Sequence, residues 1–148
     1  MKKYLLCLLA ATSISTLFCA AGDQVDRRTR LKDTVIESLS NPEKSADGRP
    51  SYNPKTLEMA AGFRDLRPKV LEILTEELAN PMKGADGRPF YNPKMLKLAI
   101  DFPDLRPKVL EIIKEALRNP PKDKNGRANH DAEILNLAAE FPELRAGW

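Results

Sequence analysis

The sequence is short of the side chains that most often carry chemistry. Its 148 residues hold one histidine, His130, two cysteines, Cys7 and Cys19, and one tryptophan, Trp148. A single histidine excludes a multi-histidine metal site, and two cysteines cannot build a disulfide framework. There is no Gly-rich phosphate loop and no nucleophile elbow. Nor is either sign of charge in large excess: 24 Lys and Arg face 21 Asp and Glu, for a net charge of +3. That balance argues against a basic nucleic-acid arm and against an acidic disordered tail. What remains, with 42% hydrophobic and 30% charged residues and a mean hydropathy of -0.44, has the composition of a small globular protein.

The first 22 residues read differently from the rest. Lys2 and Lys3 precede an apolar stretch from Tyr4 to about Phe18, and Ala20, Ala21 and Gly22 supply small residues for cleavage. This is the order of a secretory signal peptide. Thr12, Ser13, Ser15 and Thr16 interrupt the apolar run, which is shorter than the roughly 20 residues a membrane span needs. A lipoprotein acceptor would follow a small residue, whereas Cys19 follows Phe18. Without the segment the chain starts at Asp23 and has 126 residues. It then loses two basic residues and no acidic one, so that it carries +1 and no thiol. Export predicts a secreted or periplasmic location, with residues 23–148 forming one helical repeat domain held by packing without disulfides.

The dominant feature is a repeat. Phe63-Arg-Asp-Leu-Arg67, Phe102-Pro-Asp-Leu-Arg106 and Phe141-Pro-Glu-Leu-Arg145 stand 39 residues apart, as do Asn41-Pro42, Asn80-Pro81 and Asn119-Pro120. The units are Arg28–Leu66, Arg67–Leu105 and Arg106–Leu144, and adjacent copies agree at about half their positions. A short tail, 145–148, begins a fourth unit, and its Trp148 is placed to cover the end of a stack.

Proline and asparagine divide each unit into two helices. In the middle copy Pro68 suits the first turn of a helix A that Asn80-Pro81 closes. After a loop, Asn92 can cap a shorter helix B that has Pro93 at its first position and ends near Phe102-Pro103. In the third copy Asp131-Ala132 replaces Asn-Pro and keeps a capping side chain. Apolar residues then recur at helical spacing. Helix A carries Leu31/Val70/Val109, Val35/Leu74/Ile113 and Leu39/Leu78/Leu117; helix B carries Leu57/Leu96/Leu135, Ala60/Ala99/Ala138 and Phe63/Phe102/Phe141. These predict one buried stripe per helix. Lys32 and Thr34 stand where later copies have Leu71/Leu110 and Ile73/Ile112, as a solvent-facing first helix would require.

Helices this short are marginal alone, so their stability must come from stacking one hairpin on the next. The predicted fold is all-α, a short solenoid of three helix-loop-helix repeats of 39 residues. It resembles the HEAT and tetratricopeptide solenoids in general plan. The tetratricopeptide pattern of spaced Trp, Gly, Tyr and Ala does not occur, so the resemblance implies an architecture and no activity.

Candidate binding residues follow from superposing the units. Lys44, Lys83 and Lys122 would form one basic row and Arg49, Arg88 and Arg127 another, suited to an anionic envelope component. The competing reading makes Asp-Gly a tight turn while each Arg bonds helix A carbonyls or packs on Tyr52 and Tyr91. On helix B the exposed positions that vary between copies, Lys55/Lys94/Glu133, Glu58/Lys97/Asn136 and Gly62/Asp101/Glu140, offer a recognition face that includes Lys55, Lys94 and Lys97. A calcium loop placing Gly87 sixth would put Met82 first and Pro93 twelfth, which are not ligands. Lys69 with Glu72, and Lys108 with Glu111, read as solvated pairs of about 0.2–0.5 kcal/mol each. His130 reads as a turn residue before the Asp131 cap.

The function expected from these features is non-catalytic binding of another macromolecule, a protein before any other, by an exported scaffold. No cofactor, metal, nucleic acid or lasting membrane insertion is implied. The alternatives are a self-assembling envelope component, in which the edge at Arg145–Trp148 meets the first helix of a second molecule, and a small hydrolase of envelope sugars or peptides using helix carboxylates. Mass spectrometry of the exported chain is expected to find an N-terminus at Gly22 or Asp23 and no maleimide-reactive thiol.

Overall fold

The computed structural model describes residues 24–45, 48–84, 87–121, 125 and 127–145. The described chain is mostly helical and falls into two compact units, divided in the sequence between Phe63 and Arg64. In the first unit, helix α1 covers residues 24–40, strands β1 (Glu43–Lys44) and β2 (Pro50–Ser51) pair as an antiparallel ribbon, and helix α2 spans Pro54–Ala61. The second unit opens with helix α3 (Arg67–Ala79), a ribbon of β3 (Met82–Lys83) and β4 (Pro89–Phe90), and helix α4 (Pro93–Ile100). Helix α5 (Arg106–Arg118), helix α6 (Ala132–Ala138) and a last turn, α7 (Pro142–Arg145), complete it.

The element boundaries follow the punctuation. Helices α3 and α5 start on Arg-Pro, where the missing proline N–H would have had no helical partner. Helix α1 has Thr29 at that position and is already helical at residue 24, ahead of the first repeat unit. At the other end, Asn80 and Asn119 leave the helix with ψ of 64° and 61°. Each precedes a proline, whose ring disfavours a helical neighbour. The caps form as expected: Asn53, Asn92 and Asp131 accept the N–H two residues on, at 2.9, 3.0 and 2.8 Å. Helix B of the middle copy stops at Ile100, before Phe102-Pro103.

The ribbons were not foreseen by the helical reading of the sequence. Glu43 pairs with Ser51 and Lys44 with Pro50; Met82 pairs with Phe90 and Lys83 with Pro89. The connection is closed by the Gly48 N–H on the Ser45 carbonyl at 2.8 Å and, 39 residues on, by the Gly87 N–H on the Gly84 carbonyl at 2.9 Å. Gly48 and Gly87 have φ of 81° and 77°. A Cβ there would meet no atom within 4 Å, so glycine is needed for the backbone angle and not for space. Asp47 and Asp86 of the expected Asp-Gly turns lie outside the described residues, as do Lys122, Trp148 and the signal segment 1–22.

The predicted stripes form the core, with three exceptions. Val35, Leu39, Leu57, Ala60 and Phe63 are buried in the first unit; Val70, Leu74, Leu78, Leu96, Ala99, Phe102, Val109, Ile113, Ala138 and Phe141 are buried in the second. Leu31 and Leu135, however, are 45% and 38% exposed, and Leu117 is half-buried. Leu31 lies on the first described helix and Leu135 on the last long one, so neither has a further hairpin over it among the described residues. Helix α4 departs in the opposite sense. Met95, Leu96, Leu98, Ala99 and Ile100 are all buried, because α4 packs against α3, α5 and α6 and is covered on more than one side. No charged or polar side chain is buried among the described residues.

One contact recurs in every copy. The guanidinium at the start of each repeat unit lies over the phenylalanine that follows helix B: Arg28 over Phe63 at 5.8 Å, Arg67 over Phe102 at 5.1 Å and Arg106 over Phe141 at 4.8 Å. Arg67 and Arg106 also donate to the carbonyls of Asp101 and Glu140, at 3.5 and 3.4 Å. Each thus puts a cation where the end of helix B is electronegative. In urea unfolding, Leu96→Ala is expected to cost about 2–5 kcal/mol. Leu135→Ala, in register with it but partly solvated, is expected to cost less than half as much.

Candidate functional site

The second unit contains an open groove of about 570 Å³ between the stretch Arg88–Tyr91 and helix α5. Lys108, Glu111, Ile112, Glu115, Ala116 and Asn119 line its helical wall. Their spacing of three and four places them on one face. Pro89 and Tyr91 line the opposite wall.

The two walls are tied at one end. Arg88 Nη1 donates to the main-chain carbonyl of Asn119 at 3.2 Å, just past the last turn of α5, where the helix end is electronegative. Asn119 Nδ2 in turn donates to Glu115 Oε1 at 2.7 Å. Glu111 Oε1 receives Lys114 Nζ at 2.9 Å. That hydrogen bond, then the Lys114 charge, with Arg118 adding to it, holds the Glu111 carboxyl below the ordinary glutamate range. Partial burial pushes the Tyr91 hydroxyl above the ordinary tyrosine value, since the phenolate would lose water. The result is an apolar floor between charges of both signs. Such a surface can hold an extended segment that offers apolar side chains along its middle and charges at its edges. Glu111 stays ionised at neutral pH, which makes it a poor proton donor.

Of the candidate binding residues read from the sequence, only Arg88 lines this groove. It bonds the carbonyl of Asn119, the residue that ends helix A of the following copy, and not a carbonyl of its own helix A. Lys83 sits on β3 and Lys94 and Lys97 on α4, all exposed; Arg127 is exposed in the stretch before α6. In the first unit Lys44 lies on β1, Arg49 beside β2 and Lys55 on α2, again exposed. Lys122 lies outside the described residues. Lys69 pairs with Glu72 at 3.0 Å as expected. Glu111 takes Lys114 in place of the expected Lys108, because Lys114 stands where the preceding copy has Thr75.

Tyr91, Lys108, Glu115 and Asn119 were missed as groove residues, although a signal was present. Eight of the nine lining residues have the same residue 39 positions earlier in the sequence, Ala116 being the exception, whereas the copies agree at only about half their positions. Lys69/Lys108, Glu72/Glu111 and Glu76/Glu115 are kept although packing does not require a charge there. Among the described residues no three His, Cys, Asp or Glu side chains gather as metal ligands would, and no described helix is long and apolar enough to cross a membrane. No protein-family model matches the chain, and no curated protein or solved structure does.

The Tyr91 shift has a defined consequence. The folded state keeps a proton that the unfolded chain loses near pH 10, so the associated stability is intact below about pH 10 and is lost as pH rises from there through the folded value. Titration followed at the phenolate absorbance is expected to show a step above that of free tyrosine, and Tyr91→Phe is expected to remove it.

Proposed function

We propose that the chain is an exported three-repeat α-solenoid that works without catalysis, by binding a segment of another protein beside helix A. The signal-like opening segment supports export to the periplasm or the exterior. The exact 39-residue period of the sequence, with the helix B caps recurring in all three copies and the ribbon in the first two, supports the repeat array. The observation that carries the binding reading is the charged lining of the groove. Lys108, Glu111 and Glu115 are exposed, contribute little to packing, and yet are identical to Lys69, Glu72 and Glu76 of the preceding copy, the first copy keeping the same charges as Arg30, Asp33 and Glu37. A surface kept for folding alone would keep Ile112 and the Arg88 bond without needing those charges.

A binding partner of mixed polarity fits this lining better than a purely anionic one. Arg88 is engaged with a helix carbonyl, and Glu111 and Glu115 stand along the same wall. The near-neutral charge expected after signal removal adds little long-range attraction. Hydrolysis is less well supported, since the carboxyl of Glu111 is biased towards its ionised form.

The test is quantitative affinity capture from the fraction into which the protein is exported, with wild type and the Lys108→Glu/Glu115→Lys double variant as baits. A discrete set of proteins held by wild type is expected to fall at least about tenfold with the variant, equivalent to about 1.4 kcal/mol, with the melting temperature unchanged. Equal capture by both baits would exclude the groove as the binding surface.

A further inference from the structure

The groove of the second unit sets two opposite charges in line along α5. Lys108 and Glu115 both line it and stand two helical turns apart, so they fall nearly on one line, about 10.5 Å from each other. Neither charge is cancelled within the described chain. Among the described residues no carboxylate pairs with Lys108, since Glu111 takes Lys114 at 2.9 Å. Glu115 accepts from the side-chain amide of Asn119 at 2.7 Å, a neutral donor that leaves its charge in place. Arg88 stands at the same end, but its guanidinium donates to the Asn119 carbonyl, where the helix end is electronegative. The rest of the lining is largely apolar, with Ile112 and Ala116 on the helix and the rings of Pro89 and Tyr91 opposite.

We infer that the occupant is a protein segment in the polyproline II conformation that sets an acidic residue against Lys108 and a basic residue, three positions along, against Glu115. The inference rests on the groove reading above and adds the conformation and charge register of what enters it. Spacing selects the conformation. In a polyproline II chain residues i and i+3 share a side, about 9.3 Å apart. A β-strand returns to one side only at even separations, about 6.7 or 13 Å. The first value matches the span from Lys108 to Glu115, and the other two fall well short of it or beyond it. A helix, about 10–12 Å across, is too wide for a groove of about 570 Å³ that runs two turns along α5. Proline rings also suit the ring faces of Pro89 and Tyr91, and a proline segment arrives with its backbone already restricted, so little order is lost on binding.

The probes are capped synthetic peptides in which Glu and Lys flank two prolines, made in both orders because such a segment can enter in either direction. The whole protein, as purified from its producing cell, is titrated with each peptide and followed by NMR. Binding is expected to move the Tyr91 and Ile112 signals, and to weaken at least about threefold when one proline is removed or one is added. Charge rescue is the decisive arm. Lys108→Glu, at an exposed position and checked for unchanged melting, is expected to weaken the Glu/Lys peptide at least about threefold and to bind a peptide with Lys at both ends correspondingly tighter than wild type does. Glu115→Lys is expected to do the same with Glu at both ends. Unmoved signals with both orders, indifference to the number of prolines, or absence of rescue overturns the inference. So does tighter binding of the Glu/Glu than of the Glu/Lys peptide by wild type, which would mean that the groove reads anionic charge alone. Groove-dependent capture of proteins together with indifference to these peptides leaves the partner reading standing and this one fallen. Peptide binding with rescue, together with equal capture by both baits, does the reverse.

Discussion

The contact on which the rest of the structure depends is the guanidinium of Arg28, Arg67 or Arg106 lying over Phe63, Phe102 or Phe141. Helix B is only seven or eight residues long in each copy, too short to hold itself in water. The phenylalanine that follows it is buried, and the arginine covers the ring while, in the second unit, bonding the carbonyl of the residue before it. One side chain thereby joins helix A, at its first residue in α3 and α5 and inside the first turns of α1, to the far end of helix B. It closes the hairpin at the place where a disulfide would otherwise serve, in a chain whose two cysteines both lie in the opening segment.

The helices, their caps and their ends were legible because each rests on local stereochemistry. Proline at the first turn, asparagine before proline, and an Asn or Asp cap act within a few residues of where they stand. Most of the core was legible too, since a repeat in register shows the same position three times. Leu31, Leu117 and Leu135 broke the pattern because burial depends on what lies over a helix, which helical spacing does not specify. The breadth of the α4 core was hidden for the same reason: a stripe of period 3.6 describes a helix covered on one side, and α4 is covered on several.

The groove shows the limit of reading spacing alone. Lys108 and Glu111 looked like a solvated ion pair when only helix A was considered. With Glu115 they became one wall of a site when the loop carrying Arg88, Pro89 and Tyr91 came against them. The Arg–Phe contact was also present in the sequence, as two residues 35 apart in every copy, but nothing in that spacing says that the ends of helices A and B meet.

By itself the sequence determined the period, the number of copies, the caps and most helix boundaries, and most of the side chains that line the core. These are properties of short stretches of backbone and of which residues exclude water. Only the tertiary structure decided that the Arg88 guanidinium reaches Asn119 in the following copy, that the loop residues pair as ribbons, and that Leu135 is left exposed where Leu96 is buried. Those outcomes depend on how residues from different hairpins are brought together, and a linear pattern carries no distances between them.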